Sequence, residues 1–253
     1  MDLGLKGKTA IVTGAGSQIG YGKGIALRLA TEGCNVIVVD IDLEGAKKTA
    51  AEVEALGVKA MAIKCDISDR KQVDAMVKAG TDKFGQIDIL VNNTGTTRNA
   101  SLLDSNEETY HYNVDVNMKG HWYCTQAVAP QMIARKSGKI VSISSAAAYK
   151  GFDKSAQYGM AKGGIVGMTI NLAVELGPLG INVNAIAPGL GDTGLIKLAG
   201  VPEMAKQMVA KSLPLRRLTT PQDIGNAVAF LVSDVSSDMT GQVLHVDGGD
   251  IMR

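Results

Sequence analysis

Cysteine is scarce in this chain: Cys34, Cys65 and Cys124 are the three among 253 residues, 31 and 59 positions apart and never as C-x-x-C. Such spacing builds neither a disulfide framework nor a zinc cluster, and a reducing, cytoplasmic setting is expected. The three histidines, His111, His121 and His245, share no metal-ligand spacing, so surface or packing roles and no metal are expected. Long apolar runs are missing as well, since nothing approaches the ~18 residues of a membrane helix. Met1 to Lys8 is mixed polar, and the apolar run Ala10 to Val12 is too short for the core of a signal peptide. An excess of one charge is absent: 26 Lys+Arg against 25 Asp+Glu leave +1, which gives no electrostatic reason to bind nucleic acid or a membrane surface. With 45% apolar and 20% charged residues, disorder, collagen and coiled coil are disfavoured. Six prolines and no linker-like stretch suggest one domain over residues 1–253, and thirty glycines suggest many tight turns.

What is present is alternation. Short β-branched runs alternate with segments of helical period, the pattern of βαβ units and a parallel sheet with helices on both faces. Seven strands are predicted: 9–13, 36–40, 59–64, 87–91, 139–144, 181–185 and 243–246. Most are apolar nearly throughout, as strands buried on both faces must be. Helices over 43–56, 70–84 and 155–176 run up to Gly57, Gly85 and Gly177, where a left-handed residue would stop them. Residues 190–213 break the regularity with a Met-rich stretch that reads as one short helix flanked by loops, suited to a lid over a substrate site.

The first strand runs into Thr13-Gly14-Ala15-Gly16-Ser17-Gln18-Ile19-Gly20-Tyr21-Gly22 and then a helix. Glycines allow close approach of a pyrophosphate, and free N–H groups at the helix start supply donors and a positive dipole. Asp40, 26 positions beyond Gly14 at the end of the second strand, can accept from both hydroxyls of an adenosine ribose; it could equally be a turn or capping aspartate. Ile41, Asp42 and Leu43 follow it, so a 2′-phosphate would meet negative charge, and NAD is favoured over NADP.

Tyr158 and Lys162 stand at i and i+4 on one helical face, an available acid/base pair. A neighbouring Lys cation and an oxidised nicotinamide would favour the tyrosinate. Together with Ser144-Ser145, Asn92-Asn93-Thr94-Gly95, Pro188-Gly189 and Val246-Asp247-Gly248-Gly249, in this order, the chain resembles the short-chain dehydrogenase/reductases, a single-domain Rossmann fold, over nearly its whole length. The resemblance implies that Tyr158 exchanges a proton with the substrate oxygen and that Lys162 lowers its pKa and holds the nicotinamide ribose. It implies that Ser145 hydrogen-bonds the same substrate oxygen and that Asn117 supports a water relay to the lysine. Read on its own, Asn117 is a polar helix residue satisfied locally. The same resemblance puts Asp66 and Ile67 at the adenine, Asn93 and Gly95 on the cofactor side of the fourth strand, and Pro188, Gly189 and Thr193 at the nicotinamide. Asp66 with Asp69 could instead bracket a turn and cap a helix, and Asn92-Asn93 could tie strand ends together.

Five residues, Ala15 to Ile19, separate Thr-Gly from Gly-x-Gly, two more than is commonest in the family. The length is similar to that of the enoyl reductase branch and points to Ser17, Gly20 and Tyr21 as pyrophosphate contacts. Ser145 and Tyr158-x-x-x-Lys162 match the ketone and alcohol enzymes instead, so interconversion of a secondary alcohol and its ketone is favoured over C=C reduction. A catalytically silent binding or regulatory protein on the same scaffold is the other alternative. Substrate contacts are expected from Thr96, Tyr149, Phe152, Gln157, Leu190 and Leu195, with Arg98 and Lys150 able to meet an anionic group. The resemblance further implies a homotetramer, built through the helices of Asn117 and Tyr158 and the segment after Gly241.

Overall fold

The computed structural model describes residues 2–252. Its first half runs β1 (Thr9–Thr13), α1 (Tyr21–Thr31), β2 (Asn35–Asp40), α2 (Leu43–Glu54), β3 (Ala60–Lys64), α3 (Arg70–Phe84) and β4 (Ile89–Asn92). Next come α4 (Glu107–Val114), a π-helical turn (Asp115–Lys119), α5 (Gly120–Arg135), β5 (Gly138–Ile143), α6 (Ala156–Leu176) and β6 (Ile181–Pro188). The chain closes with α7 (Gly194–Leu198), α8 (Glu203–Ser212), α9 (Pro221–Leu231) and β7 (Val243–Val246). All seven strands are parallel, in the order β3-β2-β1-β4-β5-β6-β7.

Alternation along each strand divides the core in two. Ala10, Val12, Val36 and Val38 pack with Ile25 and Leu29 of α1, Val53 of α2 and Ile224 and Val228 of α9 on one face. Ile11, Ile37, Val39 and Leu90 pack with Val73 and Met76 of α3, Val128 and Met132 of α5 and Leu172 and Leu176 of α6 on the other. Covering both faces is why the strands are apolar in sequence without a polar alternate. Strand order reverses between β1 and β4, and the crevice at their carboxyl ends is where an open parallel sheet binds ligands.

Boundaries depart from expectation where side chains or neighbours intervene. β4 starts at Ile89, because the Ile87 N–H and C=O are taken by Gln131 (2.9 Å) and Arg135 (2.7 Å). β6 runs on to Pro188, since β7 pairs with it as far as Pro188↔Val246. Gly57 and Gly85 are left-handed at φ +87° and +85°. Gly177 is not: at φ −55° it passes α6 into a 3-10 turn that ends at left-handed Gly180, φ +77°. Residues 190–213 hold two helices, α7 and α8, where one was expected. No helix is long and apolar enough to cross a membrane among the described residues.

Candidate active site

The glycine-rich turn between β1 and α1 lies at the β1/β4 crevice and is shaped by close approaches. Gly14 has φ +66°, and a Cβ there would stand 2.7 Å from the Thr94 Cα, so only glycine fits. A Cβ on Gly16 would meet the Asp40 carboxylate at 2.8 Å. Asp40 holds this turn, its Oδ2 accepting from Gly16 N–H at 2.7 Å and its Oδ1 from Asp42 N–H at 3.0 Å. Each carboxylate oxygen keeps a second lone pair for a further donor. Gly20 precedes α1 and no side chain caps that helix, so its start faces the crevice as a ring of backbone donors. By contrast α2 is capped by Asp42 and α3 by Asp69.

The longer turn is pinned from outside by a residue that the sequence did not single out. Gln18 Nε2 donates to Gly16 C=O (2.8 Å) and Gly45 C=O (3.1 Å), while Lys23 joins Gln18 (2.9 Å) to Glu52 (2.6 Å). Ser17 is exposed; its C=O accepts from Gly20 N–H at 3.1 Å, and its Oγ faces the start of α7. Tyr21 splits between two neighbours. Its backbone opens α1, but its phenol turns away to Gly189, donating to that C=O at 3.4 Å, and packs against Gly191. Burial, with Tyr158 and Asp223 nearby, pushes its pKa well up.

At the centre, the Ser145 side chain stands beside the Tyr158 hydroxyl and favours its ionised form, while Ser145 Oγ accepts from Ala147 N–H at 3.1 Å. Lys162 is 2% exposed; its Nζ donates to Ile143 C=O at 2.9 Å and lies 5.7 Å from the centre of the Tyr158 ring. Ser144 plays a different part, its Oγ donating to Lys162 C=O at 2.8 Å and fixing α6 to β5. Burial governs both titrating groups: it raises the Tyr158 phenol to about 12, against the lowering effect of the Ser145 side chain, and lowers the Lys162 ammonium to about 7. The protein's own groups therefore favour Tyr158 as a protonated donor; the tyrosinate expected above involves an oxidised nicotinamide as well as the lysine. Lys162 points its ammonium at a carbonyl and not at the phenolate position, which removes the strongest stabilisation it could offer.

Asn117 sits in the π turn, fully buried, with its amide committed to Thr96 C=O (2.7 Å), Thr96 N–H (3.2 Å) and Asn113 C=O (2.7 Å). A Cβ at Gly95 would lie 3.1 Å from Asn117 Oδ1 and 3.4 Å from Lys162 Nζ, which places that turn beside both. Asn93 bridges to β1 through Thr13 C=O (2.9 Å) and Gly14 C=O (3.1 Å). Asn92 ties β4 to Thr125 (3.0 Å) and Ser142 (3.3 Å). Asp66 accepts from Ser68 N–H (2.9 Å) and Oγ (2.7 Å), the turn reading offered above, and Ile67 is buried against Gly120. Gly189 N–H bonds Val246 C=O at 3.1 Å, and Thr193 is buried at the start of α7.

The expected substrate residues scatter. Phe152 lines a cavity of about 440 Å³ with Leu102, Ala147, Ser155 and Gly159; Thr96, Tyr149, Gln157, Leu190 and Leu195 do not line it. Tyr149 packs against His245 with the rings tilted by 58° and their centres 4.6 Å apart. Leu190 C=O accepts from Thr219 N–H (3.0 Å), and Leu195 lies on α7. Both basic residues are already neutralised, Arg98 by Glu108 at 2.7 Å and Lys150 by both Asp250 oxygens at 2.6 Å.

A family profile described as enoyl-(acyl carrier protein) reductase matches residues 14–250. The chain is 42% identical over 247 residues to the (2S)-[(R)-hydroxy(phenyl)methyl]succinyl-CoA dehydrogenase subunit BbsD of Thauera aromatica, spanning 98% of each. Among solved structures it is similar to 7α-hydroxysteroid dehydrogenase complexed with NADH and 7-oxo glycochenodeoxycholic acid: TM-score 0.94, 36% identity, 100% of this chain and 97% of that one. It is also similar to NAD⁺-bound xylitol dehydrogenase: TM-score 0.88, 35% identity, 97% and 99%.

Proposed function

Because the chain belongs to the short-chain dehydrogenase/reductase family and is an oxidoreductase of it, we propose that it interconverts a secondary alcohol and its ketone, using NAD in preference to NADP. The single observation that carries this reading is Tyr158 set over the buried Lys162, whose Nζ lies 5.7 Å from the ring centre, with the Ser145 side chain beside the phenol at the carboxyl end of the sheet. One compact domain, 1–253, would serve both cofactor and chemistry, with residues 190–213 as its lid.

The residues fit a dinucleotide. Gly14 and Gly16 let the turn pack closely on Thr94 and Asp40 and bring its backbone to the crevice, the uncapped start of α1 offers donors to a pyrophosphate, and Asp40 stands at the end of β2 to accept from ribose hydroxyls. Asp66 and Ile67 would meet the adenine, Asn93 and Gly95 the cofactor at the end of the fourth strand, and Lys162, Pro188, Gly189 and Thr193 the nicotinamide half. When bound, the nicotinamide supplies or accepts the hydride. Ser145 and Tyr158 hold the substrate oxygen, and Tyr158 donates its proton to a ketone oxygen as the C–H bond forms. In the alcohol direction the same oxygen takes the proton, and the positive charge of an oxidised ring, with Lys162, offsets the effect of burial on the phenol. Ile41, Asp42 and Leu43 give a 2′-phosphate no cation, which supports NAD.

The name of the matching family profile and the two extra loop residues favour a second reading, reduction of a C=C bond. The hydroxyl pair favours C=O, and the relatives named above act, by their names, on hydroxyl or oxo compounds. Tyr158→Phe is the test. It is expected to lower turnover of alcohol or ketone by about 10³-fold or more, while leaving the NADH Kd within about threefold. Turnover that survives the substitution, or appears only with an enoyl substrate, would reject the assignment. A homotetramer through α5, α6 and the segment after Gly241 belongs to the same proposal. Trp122, Met160, Ile170 and Val174 are exposed apolar residues on those helices, and β7 leaves one sheet edge open.

A further inference from the structure

Three side chains, one helical turn apart, grip every second residue of the strip that follows β4. Asn113 Oδ1 accepts from Arg98 N–H at 3.1 Å, and its Nδ2 donates to Arg98 C=O at 3.0 Å. Asn117 repeats this on Thr96, at 3.2 and 2.7 Å. His121 Nε2 donates to Thr94 C=O at 2.8 Å. Geometry explains the register. Four helical residues advance about 6 Å, and two residues of an extended strip about 6.6 Å. Polar side chains at i, i+4 and i+8 can therefore act as the neighbouring strand, here running antiparallel to 94–98. Each asparagine does what a β partner does, accepting the N–H and donating to the C=O of one residue.

All three side chains are 0% exposed. Buried amides are held to their bonds, since leaving one unmade costs about 1–3 kcal/mol. His121 carries that cost at Nδ1, which is buried with no partner among the described residues. An apolar residue would carry none, so the bond to Thr94 is what the histidine supplies. Burial, then the Lys162 charge, lower its pKa to about 3, so the ring is a neutral Nε2–H donor that adds no charge against Lys162. The strip carries Gly95 against Lys162 and Asn117, and Asn113 Nδ2 also reaches Gln157 Oε1 at 3.4 Å, next to Tyr158.

We propose that Asn113 and His121 are positioning residues of the reaction: with Asn117 they hold 94–98 as a strand bonded by side chains, fixing Gly95 against Lys162 and Thr96 at the substrate. This rests on the assignment of Tyr158 and Lys162 made above. The test compares His121→Leu, His121→Gln and Asn113→Leu, with Asn113→Ala in reserve should the leucine variant not fold. Glutamine can place its amide nitrogen where the imidazole Nε2 stands.

Backbone amide exchange at Thr96 and Arg98 is expected to accelerate about tenfold or more in the Asn113 variant. His121→Leu is expected to lower kcat/KM about tenfold, mainly through kcat, and to raise the NADH Kd several-fold, with His121→Gln restoring both to within about threefold. The Asn113 variant is expected to act mainly through KM. If the wild-type protein turns over no alcohol or ketone, the assignment above fails, and the exchange and NADH readouts decide this proposal without it. Wild-type kcat/KM and NADH affinity in both His121→Leu and the Asn113 variant, or equal losses in His121→Leu and His121→Gln, would overturn it.

Discussion

Burial moves Tyr158 and Lys162 in opposite directions, toward the neutral form of each. For Lys162 the consequence is a pH-dependent stability. Its ammonium falls from 10.5 to about 7 on folding, so between those values the unfolded chain binds the extra proton. Stability owed to this group therefore rises with pH across that window. Denaturant titrations of wild type and Lys162→Met at pH 7 and 9.5 should differ increasingly in favour of wild type, by on the order of 1–3 kcal/mol. The buried cysteines titrate in both proteins and cancel in the difference. A flat or falling difference would mean that Lys162 keeps its charge in the fold. Residue identities at this centre were legible because Ser145, Tyr158 and Lys162 recur in a known order. Directions of side chains were not: the Tyr21 phenol leaves the pyrophosphate end for Gly189, and no local pattern encodes that. His121 was legible only as packing, since its partner Thr94 is 27 positions away.

Among elements, the segment 190–213 shows how a loop can be organised by its own ion pairs. Its Met-rich composition announced an irregular stretch, but the fold into α7 and α8 is tied together by contacts within the segment. Lys206 of α8 is 7% exposed and joins Asp192 (2.8 Å) to Glu203 (2.5 Å), latching α8 to the turn after β6. The bond to Asp192 raises its pKa further, so the latch stays charged through neutral pH. Lys206→Met should speed proteolytic nicking within 190–213 several-fold while moving the global Tm by no more than about 2 °C. Unchanged nicking would mean that the ion pairs do not hold the lid. Strands were read almost to the residue where both faces are buried, as in β1. They were missed by two or three residues where a partner decided the end, as Val246 does for β6 and Gln131 for β4.

For the whole molecule, parallel topology followed from βα alternation, and the crevice between β1 and β4 followed from the topology. Oligomeric state does not follow in that way, because exposed apolar residues on α5 and α6 name a surface without naming its partner. Sedimentation equilibrium at micromolar concentration should give four times 26.4 kDa. The mass of one chain would remove the tetramer from the proposal. The account as a whole stands on Asp40 selecting the cofactor and the hydroxyl pair selecting the bond. Titration of purified protein with NADH and NADPH, followed on the same sample by nicotinamide absorbance with a panel of secondary alcohols and ketones, tests both together. NADH is expected to bind at least about tenfold more tightly than NADPH, and some alcohol to generate it from NAD. Failure of either nucleotide to bind would contradict the account, leaving the longer turn from Gly14 to Gly22 as the barrier and a silent scaffold as the protein's role.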